Sequence, residues 1–99
     1  MLKLATNRDG DNLTVTLDGE LDTVTAPELN ELLENSLDGV RNLTLDFEKL
    51  NYISSAGLRV LLATEKRVSQ NGRMEITHIN EIIHDTFDVT GLLDIFNVS

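Results

Sequence analysis

The spacing of apolar residues along this chain changes period repeatedly, and that alternation limits the folds open to it. Leu13, Val15 and Leu17 alternate with Thr14 and Thr16, the period-two pattern of a half-buried strand. Leu29, Leu32, Leu33 and Leu37 then lie on one face at helical spacing. Leu43, Leu45 and Phe47 return to period two, and a helix from about Ser55 to Gln70 follows, with Leu58, Leu61, Leu62, Glu65 and Val68 along one side. Met74 and Ile76 mark a further strand, and Ile82, Ile83 and Phe87 a further helix. Leu2 and Leu4 add a strand in front, joined to the next through the Gly-containing turn "NRDGDN". The tail "LLDIFNV" reads equally as a short helix or an edge strand.

The order is β-β-α-β-α-β-α plus a tail. Helical crossovers between successive strands imply parallel pairing, whereas the opening hairpin is antiparallel. The fold class expected is therefore α/β, a small mixed sheet combining an antiparallel hairpin with parallel βαβ units. Alternation of apolar and polar residues within the strands suggests helices mainly on one face. No repeat, linker or low-complexity tract interrupts the sequence, so residues 1–99 read as one domain.

Punctuation supports these boundaries. Thr25 and Glu28 have capping-box spacing, Pro27 sits in the tolerant first turn, and Val24 and Leu29 occupy the positions of a hydrophobic staple. Gly39 is placed to end that helix, Asn71-Gly72 the next, and Gly91 a third that Asn80 can cap.

Composition narrows the function. Seventeen acidic against eight basic side chains give a formal charge of −9. A surface of that sign repels nucleic-acid phosphates and anionic membranes and suits a partner offering basic groups. Cysteine is absent, which removes disulfides and thiolate metal sites. No stretch approaches the roughly 20 apolar residues of a membrane-spanning helix. His78 and His84 lack the i, i+4 spacing of a helical metal motif, and no phosphate-binding loop, dinucleotide fingerprint or G-x-S-x-G elbow occurs. Neither metal nor cofactor is expected, and the chain is read as a non-enzyme.

Two places stand out. Ser54 and Ser55 open the longest helix, where strands end and helices begin, and sites in βαβ folds gather there. One serine suffices as a cap. The other, beside Ala56 and Gly57, is a candidate modification site, because a phosphate there faces backbone N–H groups and the positive end of the helix dipole. Capping alone and capping plus modification both fit the spacing. Asp22, at the end of the second strand, is expected near the serines. It reads either as a solvated turn residue or as part of the same site. Arg59, Lys66 and Arg67 are the polar residues of interest on the face of the long helix.

Three segments carry a resemblance. "LTVTLDGELDTVTAPEL", "LTLDFEKLNYISSAGLRVLL" and "DVTGLLDIFNV", in this order, resemble the STAS domain family, typified by bacterial anti-sigma factor antagonists. The resemblance implies a mixed sheet with helices chiefly on one side. It also implies binding to a serine kinase that doubles as an anti-sigma factor, with release of a sigma factor. Phosphorylation on one serine then dissolves the complex, and a metal-dependent PP2C-type phosphatase reverses it. The family motif Asp-Ser-Ser/Thr-Gly-Leu places the modified serine two positions before glycine, at Ser55. Here Ser54 replaces the aspartate and Ala56 the following Ser/Thr, which leaves Ser54 as the alternative acceptor. Asp22 matches a strand-end aspartate associated with the kinase contact, with Thr23 and Thr25 close by. The implied partner surface is Asp22, Thr23, Thr25, Ser54, Ser55, Ala56, Gly57 and Arg59, on a cytoplasmic protein that is monomeric when free. The family also includes adaptor subunits of lipid-transport ABC complexes that phosphorylation does not control.

Overall fold

A computed structural model describes residues 1–99. The strands are β1 (Leu2–Asp9), β2 (Asn12–Leu21), β3 (Asn42–Ile53), β4 (Arg73–Thr77) and β5 (Asn97–Val98). The helices are α1 (Ala26–Ser36), α2 (Ser55–Val68) and α3 (Glu81–Val89). They form one sheet in the order β1-β2-β3-β4-β5, with β1 antiparallel to β2 and every other pair parallel. Each crossover moves one strand in the same direction. With right-handed connections that places all three helices on one face. The mixed α/β sheet expected from the periodicity is what forms.

The core lies between that face and the helices. Leu13, Val15 and Leu17 of β2, Leu43, Leu45 and Phe47 of β3, and Met74 and Ile76 of β4 are buried. Thr14, Thr16, Thr44 and Asp46, which alternate with them, are only half-buried. Leu29 and Leu33 of α1, Leu61 and Val68 of α2, and Ile83 and Phe87 of α3 complete the interior. The Phe87 ring meets Phe96 edge-on at 5.4 Å. The ambiguous tail is both things in turn: a short 3-10 turn at Leu92–Asp94, then an edge strand beside β4.

Four local expectations are corrected. The first turn is only Gly10-Asp11, with Asp9 opposite Asn12 and Gly10 at φ 64. Beyond Leu4, β1 is an edge strand whose residues stay exposed beside the core positions Val15 and Leu13 of β2, so they carry no apolar pattern to betray a strand. The capping box and staple of α1 are not made. Thr25 has helical backbone angles (φ −92, ψ −20) and no side-chain cap bond, and Val24 is 80% exposed. A serine or threonine caps from extended backbone, which Thr25 does not adopt. α2 buries Gly57, Leu61, Thr64 and Val68, so its inner face is rotated from the Leu-rich stripe, and Leu62 stays 37% exposed.

The fourth correction bears on the site. β3 runs to Ile53, through the segment read as a loop. Its inward residues after Phe47 are Leu50 and Ile53, three apart. Two register shifts against β2 explain this. Thr16 faces Asp46 but Asp18 faces Lys49, and Gly19 faces Leu50 but Glu20 faces Tyr52. Each shift is an extra residue on β3, a bulge that resets the alternation.

Gly57 fixes how α2 leaves the sheet. A Cβ there would stand 2.7 Å from Leu21 Cγ and 3.0 Å from Ile53 Cγ1. Both neighbours are buried, so the first turn of α2 rests directly on the ends of β2 and β3. Alanine normally gains about 1 kcal/mol over glycine inside a helix. Overpacking a core costs about 1–3 kcal/mol. Gly57→Ala is therefore expected to lower the unfolding free energy by about 1 kcal/mol in urea denaturation; a gain of stability would contradict the close approach.

Candidate functional site

One residue, Ser54, separates β3 from α2. Its N–H donates to Leu21 O at 2.8 Å, which ties the end of β3 to the end of β2. Its backbone is extended (φ −98, ψ 173), the geometry of an N-cap, and its Oγ accepts from Gly57 N at 3.4 Å. Its carbonyl accepts from Leu58 N at 2.9 Å. Ser55 is the first helical residue and is exposed. The two serines thus divide the work. Ser54 caps the helix, while Ser55 presents a hydroxyl to solvent at the positive end of the helix dipole.

The turn after β2 comes alongside because Leu21 pairs with Ile53. Asp22 Oδ1 accepts from Val24 N and Thr25 N, both at 2.9 Å, and from the Thr25 hydroxyl at 3.1 Å. Thr25 is buried. Its one hydroxyl proton is shared between Asp22 Oδ1 and Glu20 O, the latter at 2.7 Å, and its Oγ1 accepts from Asp22 N at 2.8 Å. Asp22 therefore does for α1 what Thr25 and Glu28 were expected to do. The bond from the Thr25 backbone N–H, with help from the Thr25 hydroxyl and Val24 N–H, holds the Asp22 carboxyl below its usual range against the opposing effect of burial.

A groove of about 290 Å³ runs between α1 and α2 beside Ser55. Thr23, Pro27 and Asn30 line one side, and Ala56, Arg59 and Val60 the other. Along its rim and beyond, Ser55, Arg59, Leu62 and Lys66 form an exposed stripe at positions i, i+4, i+7 and i+11 of α2. The structure thus brings together Asp22, Thr23, Ser54, Ser55, Ala56 and Arg59. Thr25 and Gly57 are buried and hold the site from behind, which removes them from the surface a partner could touch. Sequence reasoning missed three exposed apolar side chains on these segments: Val24, Tyr52 and Leu62. Val24 and Leu62 had been assigned to the interior by spacing, and Tyr52 by itself carries no signal.

Elsewhere, a cavity of about 420 Å³ lies at the far end of α2, lined by Asp38, Arg41, Arg67 and Gln70 among others. On the sheet's open face, Asp46, Glu48 and His78 bring their ligand atoms within 4.8 Å of one another and could hold a divalent cation. They also satisfy one another directly. Asp46 Oδ1 accepts from Glu48 N at 3.0 Å and lies 3.0 Å from His78 Nδ1. Burial would raise the Asp46 pKa, and these two contacts together with the nearby charge of Lys49 outweigh it, so the pKa is lowered. His84 is not part of this group. No helix is long and apolar enough to cross a membrane.

The Asp22 turn has a definite pH dependence. Its carboxyl titrates lower folded than unfolded, so its contribution is present above the ordinary aspartate value of about 3.9 and fades as pH falls through the folded value. The amide shifts of Val24 and Thr25 are expected to titrate together with a midpoint below about 3.9, and to stay flat in Asp22→Asn. Midpoints at or above the ordinary value would show that the carboxylate does not hold the turn.

The STAS domain family model matches residues 3–99. The anti-sigma-B factor antagonist of Staphylococcus aureus is 36% identical over 87 residues, which cover 86% of this chain and 81% of that protein. The crystal structure of an anti-sigma factor antagonist from Mycobacterium paratuberculosis superposes with TM-score 0.89 at 22% identity, covering 99% of this chain and 85% of the other. The phosphorylated form of the Bacillus cell fate determinant SpoIIAA superposes with TM-score 0.75 at 18% identity, covering 100% and 91%. A family match over residues 3–99, a relative 36% identical and the shared fold lead to one conclusion: the chain belongs to the STAS domain family.

Proposed function

We propose that this protein is an anti-sigma factor antagonist, a binding module whose affinity for its partner is set by phosphorylation of Ser55. The observation that carries the proposal is the division between the serines. Ser54 is spent on the cap, and Ser55 is exposed beside a groove and three exposed apolar side chains. The name of the Staphylococcus relative supports the antagonist role, and the phosphorylated SpoIIAA structure supports a fold of this type carrying a phosphate.

The partner proposed is an anti-sigma factor that is also a serine kinase. Asp22, Thr23, Ser54, Ser55, Ala56 and Arg59 form the contact, and binding releases the sigma factor. The chain itself is not the catalyst. In the kinase reaction Ser55 Oγ attacks the γ-phosphorus of a nucleoside triphosphate. The new O–P bond replaces the bond to the β-phosphate oxygen, the diphosphate departs, and the hydroxyl proton is released. A PP2C-type phosphatase restores the hydroxyl. Such a switch acts on a monomer in the cytoplasm, where sigma factors engage polymerase.

Physics makes one phosphate sufficient. It adds about 1.5 to 2 negative charges at a contact point on a chain of formal charge −9. A charge left unpaired in an interface costs several kcal/mol, and each 1.4 kcal/mol is tenfold in affinity. The fold survives, because a phosphate at a helix N-terminus meets free N–H groups and the positive dipole end.

Ser55→Asp is expected to weaken binding of the cognate anti-sigma kinase by roughly 100-fold or more in calorimetry. Ser55→Ala should still bind but accept no phosphate, as read by intact mass. Ser54→Ala should still be phosphorylated while losing about 1 kcal/mol of stability with its cap. Equal affinity for wild type and Ser55→Asp, or phosphate found on Ser54, would sink the proposal. Recovery of a permease and its ATPase in place of a kinase would point to the adaptor role instead.

A further inference from the structure

We infer that Arg59 is the intramolecular partner of a phosphate on Ser55, and that making this pair takes Arg59 off the docking face. The inference rests on the reading of Ser55 as the modified residue. Both residues are exposed and stand four apart in the first turns of α2. That spacing stacks side chains on one helix face with Cβ atoms about 5–6 Å apart. The order is the favourable one, with the anion N-terminal to the cation. A guanidinium can engage two phosphate oxygens at once.

Arg59 is free to make the pair. The chain's two ion pairs involve His78 and His84, and Arg8 is the one arginine whose guanidinium is hydrogen-bonded within the chain. The α2 positions three and four residues from Arg59 are Ser55, Ala56, Leu62 and Ala63, none of them acidic. Across the groove it faces Thr23, Pro27 and Asn30, which are uncharged. The carboxylate of the adjoining turn is Asp22, whose Oδ1 already holds three hydrogen bonds. Within one turn on its own helix face a phosphate on Ser55 thus meets a single cation, Arg59, and no carboxylate on that helix stands within reach to compete. In the unmodified chain the same guanidinium lines the groove, open to a carboxylate of the bound protein. Phosphorylation then acts twice: it charges the contact serine and neutralises the cation beside it.

The test installs phosphoserine at position 55 during translation and follows its second ionisation by phosphorus NMR. The helix N-terminus acts equally on both proteins, so the difference between wild type and Arg59→Ala isolates the arginine. The wild-type midpoint is expected about 0.3 pH unit lower than that of Arg59→Ala, with the gap closing in 1 M salt. Identical midpoints at low salt would overturn the pair. This measurement needs no partner, so it stands apart from whether Ser55 is the kinase's substrate. The withdrawal step is read from affinity. Arg59→Ala should weaken binding of the unmodified chain and shrink the affinity ratio between unmodified and phosphorylated protein by about twofold or more. An unchanged ratio would overturn that step.

Discussion

The parallel pairing of β2 with β3 is the constraint from which the site follows. It sets Leu21 opposite Ile53 and lets Ser54 N–H close on Leu21 O at 2.8 Å. From that bond two connections leave in parallel, one into the Asp22–Thr25 turn and α1, the other into α2. Because strands pair about 4.8 Å apart, the starts of two consecutive helices are held side by side. The groove is the space left between α1 and α2, with Ala26 and Ala56 among its lining. Without the two bulges on β3 the alternation would fall out of step, and Leu50 and Ile53 would not both face inward.

Rigidity and exposure are separated within a few residues. The backbone at both helix starts is tied down by caps that act locally: Ser54 for α2, Asp22 and the buried Thr25 hydroxyl for α1. What those caps hold in place is almost wholly side chain, the free hydroxyl of Ser55, the guanidinium of Arg59 and the apolar groups of Val24, Tyr52 and Leu62. A modification at Ser55 on the proposed reading therefore changes the surface without touching a buried contact. The same division explains why Thr25 and Gly57 belong to the site's sequence pattern though neither reaches solvent.

The strand order was legible because β2, β3 and β4 each bury one face, and burial of one face writes a period of two into the sequence. β1 beyond Leu4 and β3 beyond Phe47 were not legible, for opposite reasons. The first has no buried face to write a pattern, and the second has one whose period is broken by bulges that depend on the neighbouring strand. Asn80 was read correctly as a cap because it acts within its own turn, its Oδ1 accepting from Ile83 N at 2.9 Å. The Thr25–Glu28 box had the same local signal and failed, since Thr25's hydroxyl is taken by Glu20 O and Asp22 N within the turn that leaves β2. At the site, Ser54, Ser55 and Asp22 were visible as residue types at element ends. The exposed Val24 and Leu62 were not, because a hydrophobic side chain at helical spacing looks the same whether it faces a core or a partner. Asp46, Glu48 and His78 lie 32 positions apart from first to last, and only strand pairing joins them.

The replacement of the family's aspartate by Ser54 bears on how large the switch can be. Serine and aspartate are about equally good N-caps, so the helix start loses little by the exchange. What changes is charge. With aspartate in the capping position the acceptor hydroxyl already sits beside one negative charge, and a phosphate takes the local total from −1 to about −3. With Ser54 the first turn of α2 holds no acidic residue, and the same phosphate takes it from zero to about −2. Arg59 in the next turn and the Asp22 carboxylate in the adjoining turn offset one another on the unmodified face. On the proposed reading, phosphorylation here gives a contact without local net charge a negative one, and so introduces a repulsion rather than deepening an existing one.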